Sequence, residues 1–280
     1  MERIIKIFLS IGLVVVGLTA PAYTGELADR AASGKTIRLG FASEPPQAYP
    51  GEGNKPLGYV NAIAEGVLRS MGYTNIEPVV TDWGGLIPGL QAGRLDLITG
   101  GMYINKKRCD NITFSEPVSK ETDVFMVKSG NPEQITTYKD LVTKNATMVT
   151  GAGYAGIEIA KKLGVPASQI MEVPGGTEIL AAVIAGRAAA GVTSYTVVQD
   201  IAKKSGGKVE ATNPALMPEE SSAWIGIGFR NSDKDFVAKF NTELKRYLGT
   251  PEMMKAAAED GYDEKALPGD TTTEWVCAHR

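Results

Sequence analysis

The sequence predicts an α/β protein of two lobes, each a mostly parallel sheet flanked by helices, with two chain crossings between them. Three observations carry that prediction. From Thr36 onward, short apolar or alternating runs are interleaved with amphipathic helical patterns, the order that builds βαβ units. The interleaving restarts after the loop Ser129-Gly-Asn-Pro132, which reads as a passage between lobes. A late apolar run, Trp224 to Phe229, then precedes two further amphipathic helices and returns the chain to the first lobe.

The elements follow in order. Thr36 to Phe41 alternates as a strand and leads into the loop Ala42 to Lys55. Gly58 to Arg69 has apolar residues at helical spacing and stops near Gly72. Ile76 to Val80 is a strand, Asp82-Trp-Gly-Gly85 a turn, Leu86 to Gly93 a short helix and Leu95 to Thr99 a buried strand. Phe125 to Lys128 is read as the end of the first lobe. The second set is a helix at Tyr138 to Val142, a strand at Thr147 to Val149, the loop Thr150 to Gly156 and a helix at Ile157 to Leu163. A strand at Ile170 to Val173, a helix at Thr177 to Ala185 and a strand at Ala190 to Thr193 complete it. Helices at Lys234 to Leu248 and Glu252 to Asp260 close the pattern. The predicted domains are residues 36–128 with 229–280 for the first lobe and 129–228 for the second. Ligands of such folds sit beyond the strand carboxyl ends, here in the cleft where the lobes face each other.

The N-terminus indicates where the protein works. A charged start, Met1 to Lys6, is followed by an apolar run from Ile7 to Leu18 and small residues at A-x-A spacing in Thr19-Ala-Pro-Ala22. That is a secretory signal peptide over residues 1–22, too short and too soon followed by a cleavage site to be an anchor. The expected location of the mature chain is the periplasm. No cysteine near the cleavage site suggests a lipid anchor, and no later apolar run reaches membrane-spanning length.

Losing residues 1–22 removes two basic and one acidic residue, so the net charge of −3 becomes about −4. That balance argues against nucleic-acid binding, which needs a basic footprint. A chain with 43% hydrophobic and 22% charged residues is an ordinary globular protein, not a disordered one. Its two cysteines, Cys109 and Cys277, favour a disulfide in an oxidising compartment. Metal binding is not expected, because the one histidine is His279 and no CxxC spacing exists. No cofactor is implied.

Asn105 to Pro117 is the most informative segment. It sets Arg108 six residues before Phe114-Ser-Glu-Pro117 and just after Gly100-Gly-Met-Tyr103. A guanidinium fixed at a strand end offers a planar fork of N–H donors that can grip a carboxylate in two parallel hydrogen bonds.

The chain resembles the type II periplasmic solute-binding proteins of ABC importers for amino acids and related zwitterions. The resemblance rests on Gly40 to Tyr49, Gly58-Tyr-Val-Asn61, Ile87-Pro-Gly-Leu-Gln-Ala-Gly-Arg-Leu-Asp96, Arg108 with Phe114 to Pro117, and Tyr138-Lys-Asp-Leu141. It covers nearly all of the mature chain. It implies a two-lobed receptor in which Arg108 pairs with the ligand carboxylate, helped by backbone near Gly101 and Tyr103. Amino-acid binders of this family usually place an aspartate for the ligand ammonium after a strand of the second lobe. That position falls near Ser194 here, so the acid is missing.

Within the family the sequence resembles the ectoine- and hydroxyectoine-binding branch in more detail, at Glu44-Pro-Pro46, Ile87 to Arg94, Arg108-Cys109 and Thr272-Thr-x-x-x-Cys277. That similarity implies a cyclic amidinium carboxylate as ligand. Such a solute requires an acid for its N–H groups, an arginine for its carboxylate and aromatic faces for its delocalised cation. Glu44 supplies the acid, and Trp83 and Tyr103 stand where the relatives carry cage aromatics. Gln47 stands in place of a third aromatic, leaving either Tyr49 or Tyr154 to supply that face or Gln47 itself to hydrogen-bond a hydroxyl or amide of the ligand. From the second lobe, N–H groups of the Gly151-Ala-Gly153 loop and Thr177 are candidate ligand contacts, with Thr177 equally readable as a helix cap.

The expected function is therefore a receptor, not an enzyme, that captures a small zwitterion and delivers it to ABC permease subunits in the inner membrane as a monomer. A polar amino acid or opine is the alternative ligand. Relatives of the fold that dehydrate prephenate or arogenate need a positioned acid or base, and no histidine falls in any candidate cleft.

Overall fold

The computed structural model describes residues 26–280, so the signal peptide expected over residues 1–22 lies outside the described residues. The first sheet has the order 76–80, 37–41, 97–98, 228–229, 113–114. Its first three strands run parallel and the returning strand Gly228–Phe229 runs antiparallel to its neighbours. Ile37, Leu39 and Phe41 alternate on one side of the strand Ile37–Phe41 and are fully or almost fully buried.

Helix Tyr59–Ser70 covers this sheet through Tyr59, Val60, Ile63, Ala64, Val67 and Leu68, one stripe at 3.6-residue spacing. Helix Lys234–Tyr247 adds Phe236, Val237, Phe240 and Leu244 to the same cluster. Burying each of these large side chains contributes roughly 1.5–3 kcal/mol. Asp96 ties the lobe together beneath them. Arg38 grips its carboxylate from Nε and Nη2 at 2.9 Å each, and Arg230 of the returning segment adds a bond at 3.2 Å. Burial alone would raise the Asp96 pKa, but the Arg38 bonds win and hold it below the ordinary value.

The second sheet runs 209–211, 119–128, 190–194, 148–151, 170–173. Here the expected lobe boundary is corrected. Strand Ser119–Lys128 pairs along its second half with Ala190–Ser194 and Val209–Ala211, so residues 125–128 belong to the second lobe. Val124 to Val127 are all buried in the second lobe's clusters, on both faces of a central strand, which is why they read only as one apolar run.

The first half of that strand pairs instead with Ser222–Ile225. These two segments form the ribbon that joins the lobes, and the predicted run Trp224 to Phe229 splits between the ribbon and the first sheet. Helices and strands of the second lobe otherwise fall within a few residues of expectation. Helix Tyr195–Lys204 and the C-terminal helix Thr273–His279 are additional elements. Cys109 and Cys277 form a disulfide with Cα atoms 5.9 Å apart, joining that last helix to the turn that carries Arg108. Among the described residues, no helix is long and apolar enough to cross a membrane.

Candidate ligand-binding site

The cleft between the lobes encloses a cavity of about 30 Å³ lined by Glu44, Gln47, Trp83, Gly101, Tyr103, Arg108, Asp123, Tyr154, Ala155, Thr193 and Ser194. Local structure explains how each side chain reaches it. The loop after the first strand folds back on itself, with Gln47 N–H bonded to the Glu44 carbonyl at 2.8 Å and the Pro45–Pro46 peptide cis. Glu44 and Gln47 are then turned inward, 5% and 4% exposed. Two glycines at positive φ make room: a Cβ at Gly58 would strike the Gln47 carbonyl, and one at Gly101 the Gln47 side chain.

Arg108 lies on the single helical turn Lys106–Cys109, whose start is capped by Asn105 accepting from the Arg108 N–H at 2.9 Å. Its guanidinium donates to the Tyr103 carbonyl at 2.7 Å and to the Gly153 carbonyl of the other lobe at 3.1 Å. It also lies 5.5 Å from the centre of the Trp83 ring. Trp83 Nε1 donates to the same Gly153 carbonyl at 3.3 Å, and its ring meets Tyr154 edge-on at 5.0 Å. The second-lobe loop thus presents a carbonyl at Gly153, where N–H groups were expected.

Three more contacts cross the cleft. The Tyr154 hydroxyl donates to Glu44, Gln47 Nε2 donates to Ser194 Oγ at 2.9 Å, and the Tyr103 hydroxyl donates to Asp123 at 2.8 Å. Tyr154 is the third aromatic wall. Tyr49 turns away and donates to Asp260 at 2.7 Å. Thr177 is outside the arrangement: it is exposed on the first turn of helix Gly176–Ile184, whose N-cap is Gly175, so it neither lines the cavity nor caps the helix.

Asp123 is the residue that sequence reasoning missed. It stands on the strand beside Ser194 and in direct register with it, so the carboxylate absent from one strand is present on its neighbour. An acid just ahead of the apolar run Val124 to Val127 was the available signal, but strand pairing is needed to aim it at the cleft.

The charges are unbalanced. Burial pushes Glu44 up to about 7 against the bond from Tyr154, and pushes Asp123 up to about 6 against Tyr103 and Arg108. Burial lowers Arg108 to about 10, with Tyr103 and Asp123 opposing. One guanidinium and two raised carboxyls in a walled cleft suit a small molecule with one carboxylate and a cationic pole. Among the described residues, no His/Cys/Asp/Glu cluster could hold a metal ion.

Known proteins agree with this architecture. The family model for bacterial extracellular solute-binding proteins, family 3, matches residues 37–258. The chain is 32% identical to a probable amino-acid ABC transporter periplasmic-binding protein, y4tE, of Sinorhizobium fredii (strain NBRC 101917 / NGR234), over 87% of this chain and 83% of that protein. It is 24% identical to the L-cystine-binding protein TcyJ of Escherichia coli (strain K12), over 92% of this chain and 93% of that protein. Among solved structures, EhuB in complex with hydroxyectoine superposes with a TM-score of 0.82 at 27% identity, covering 91% of this chain and 98% of that one. The chain belongs to the bacterial extracellular solute-binding proteins of family 3, non-catalytic receptors of amino-acid ABC importers with the type II periplasmic-binding-protein fold.

Proposed function

We propose that this chain is a periplasmic receptor, exported by cleavage of residues 1–22, that closes as a monomer over ectoine or hydroxyectoine and delivers it to ABC permease subunits. The observation that carries the ligand is that Arg108, Glu44 and Asp123 line one cavity together with Trp83, Tyr103 and Tyr154. A cyclic amidinium spreads its positive charge over a planar N–C–N unit that carries two N–H groups. Aromatic faces and a nearby carboxylate suit that charge better than they suit a compact, strongly hydrated ammonium.

On this reading the ligand carboxylate takes the Arg108 donors now held by the Gly153 carbonyl. The amidinium takes the Glu44 oxygen now held by Tyr154. Gln47 and Ser194, now bonded to each other, bond a ring hydroxyl on the same reading. The structural likeness to the hydroxyectoine complex supports the same ligand class.

Asp123 favours a second reading. Its register with Ser194 places a carboxylate beside the position where the family's ammonium-pairing aspartate is expected. A polar amino acid or opine would then use Asp123 in place of Glu44 as its main cation partner.

Thermal shift and calorimetry with ectoine, hydroxyectoine, the common amino acids, opines and betaines separate the readings. A ligand present at 100 times its Kd stabilises the folded form by about 2.7 kcal/mol. A rise in melting temperature with the ectoines and not with amino acids is expected. A rise with an amino acid or opine alone would replace the first reading by the second.

A further inference from the structure

Glu121 does not line the ligand cavity, yet it touches both lobes. It projects from the ribbon that joins them, in register with Ala223, and is 5% exposed. Its Oε1 accepts from the Tyr59 hydroxyl at 2.7 Å and from the Thr196 hydroxyl at 3.0 Å. Tyr59 opens helix Tyr59–Ser70 of the first lobe, and Thr196 lies at the start of helix Tyr195–Lys204 of the second. The contacts continue inward: Thr196 Oγ1 is 3.5 Å from Ser194 Oγ, which accepts from Gln47 Nε2 at 2.9 Å. Gln47 and Ser194 both line the cavity. One carboxyl group thus bonds a helix from each lobe at the ribbon that joins them, and two further contacts connect it to the ligand chamber.

We propose that Glu121 is a positioning residue for solute capture, holding the lobes closed by bonding Tyr59 and Thr196 at once. The proposal rests on the chain being a closing receptor and is independent of which solute it takes. Hinge rotation about the ribbon carries the two helices apart, so both bonds can be held together only in the closed arrangement. Opening also lets water reach the carboxyl.

Among the described residues, the titratable groups facing Glu121 are Tyr59 and Tyr262 from the first lobe, Tyr103 of the cavity wall, and Asp123 two residues along its own strand. No cation is among them. Burial pushes Glu121 up to about 7, with the Tyr59 and Thr196 bonds opposing and Asp123 reinforcing. A hydrated glutamate titrates near 4.3. The closed state therefore holds more protons between those values, and closure strengthens as the pH falls from 8 to 5.

The test compares the wild type with Glu121→Gln and Glu121→Ala by X-ray scattering of the ligand-free chain at pH 5 and 8, and by hydroxyectoine dissociation in stopped flow. The glutamine keeps an acceptor oxygen for both hydroxyls and cannot titrate. Its compaction on acidification is expected to be smaller than that of the wild type, the remainder coming from Glu44 and Asp123. The alanine loses both bonds and is expected to release hydroxyectoine about tenfold faster. Should it fail to fold, Tyr59→Phe and Thr196→Val each remove one bond and are each expected to speed release about threefold. An undiminished pH response in the glutamine variant, or wild-type release from the variants lacking the bonds, would overturn the proposal. If the wild type does not bind hydroxyectoine, the ligand proposed above is wrong and the scattering comparison alone decides the role of Glu121.

Discussion

Arg108 is expensive to bury, and the cleft offsets that cost with two carbonyls and an aromatic face. A ligand carboxylate is a better partner than the Gly153 carbonyl, because the bond becomes charge-assisted at both ends. Arg108→Ala is expected to weaken ligand binding by at least about 100-fold, and Arg108→Lys by less, since it keeps the charge but loses the fork. Calorimetry with unchanged affinity would remove Arg108 from the site. Glu44→Gln and Asp123→Asn form a second test. With an amidinium ligand the Glu44 change is expected to cost more, about tenfold or above, and with an α-amino acid the order reverses.

The raised carboxyls also give a pH signature. Glu44 at about 7 and Asp123 at about 6 hold protons in the folded protein that the unfolded chain has released near pH 4. Their contribution to stability is therefore full below about pH 4 and is lost as the pH rises through 6 to 7. Glu44→Gln is expected to raise the melting temperature at pH 8 and to change it little at pH 5. Calorimetric scans showing equal effects at both pH values would mean that burial is not what raises Glu44.

At the scale of elements, the weak point is the helical turn Lys106–Cys109. Four residues cannot hold a helix by their own hydrogen bonds, so Arg108 is aimed by what surrounds them. The Asn105 cap is one support and the disulfide to helix Thr273–His279 is the other. The Lys106 N–H also donates to the Arg280 carbonyl at 2.8 Å, which seats the last helix against the turn. Closing a loop of 168 residues contributes up to about 5 kcal/mol in the chain-entropy model. The Cys109→Ser/Cys277→Ser double variant is expected to melt well below the wild type and to bind ligand more weakly, as read by thermal unfolding and calorimetry. Lower stability with unaltered affinity would show that the Asn105 cap alone suffices to orient Arg108.

For the whole molecule, the proposed solute capture rests on contacts that pair the two lobes. Arg108 to Gly153, Trp83 to Gly153, Tyr154 to Glu44 and Gln47 to Ser194 each pair one lobe with the other. A ligand that bridges the same groups shifts the lobes toward closure by its differential affinity for that state. Ligand is therefore expected to reduce the radius of gyration in solution scattering, and Gln47→Ala to diminish the reduction. The same contraction in that variant would place closure elsewhere than in the Gln47 wall.

Some of this was legible without coordinates. Local periodicity revealed the strands Ile37–Phe41, Ile76–Val80 and Ile170–Val173 and most of the helices, because an amphipathic stripe or an alternating run is written within a few neighbouring residues. The Asn105 to Pro117 segment likewise marked Arg108, the family resemblance marked Glu44, Trp83 and Tyr103 as candidates, and the even cysteine count favoured the disulfide. Three things were decided only by the tertiary structure. Strand Ser119–Lys128 joined the second sheet, because a run buried on both faces carries no sign of which sheet buries it. Thr177 fell outside the cleft, because the helix began one residue earlier, at Gly176, and left its side chain exposed. Asp123 entered the cleft through its pairing with Ser194, 71 positions away, and Glu121 met Tyr59 and Thr196 through side-chain hydrogen bonds to helices of both lobes. Sequence determines local conformation through nearest neighbours; which charges share a cavity follows from strand register and lobe closure, and both are set by contacts between residues far apart in the chain.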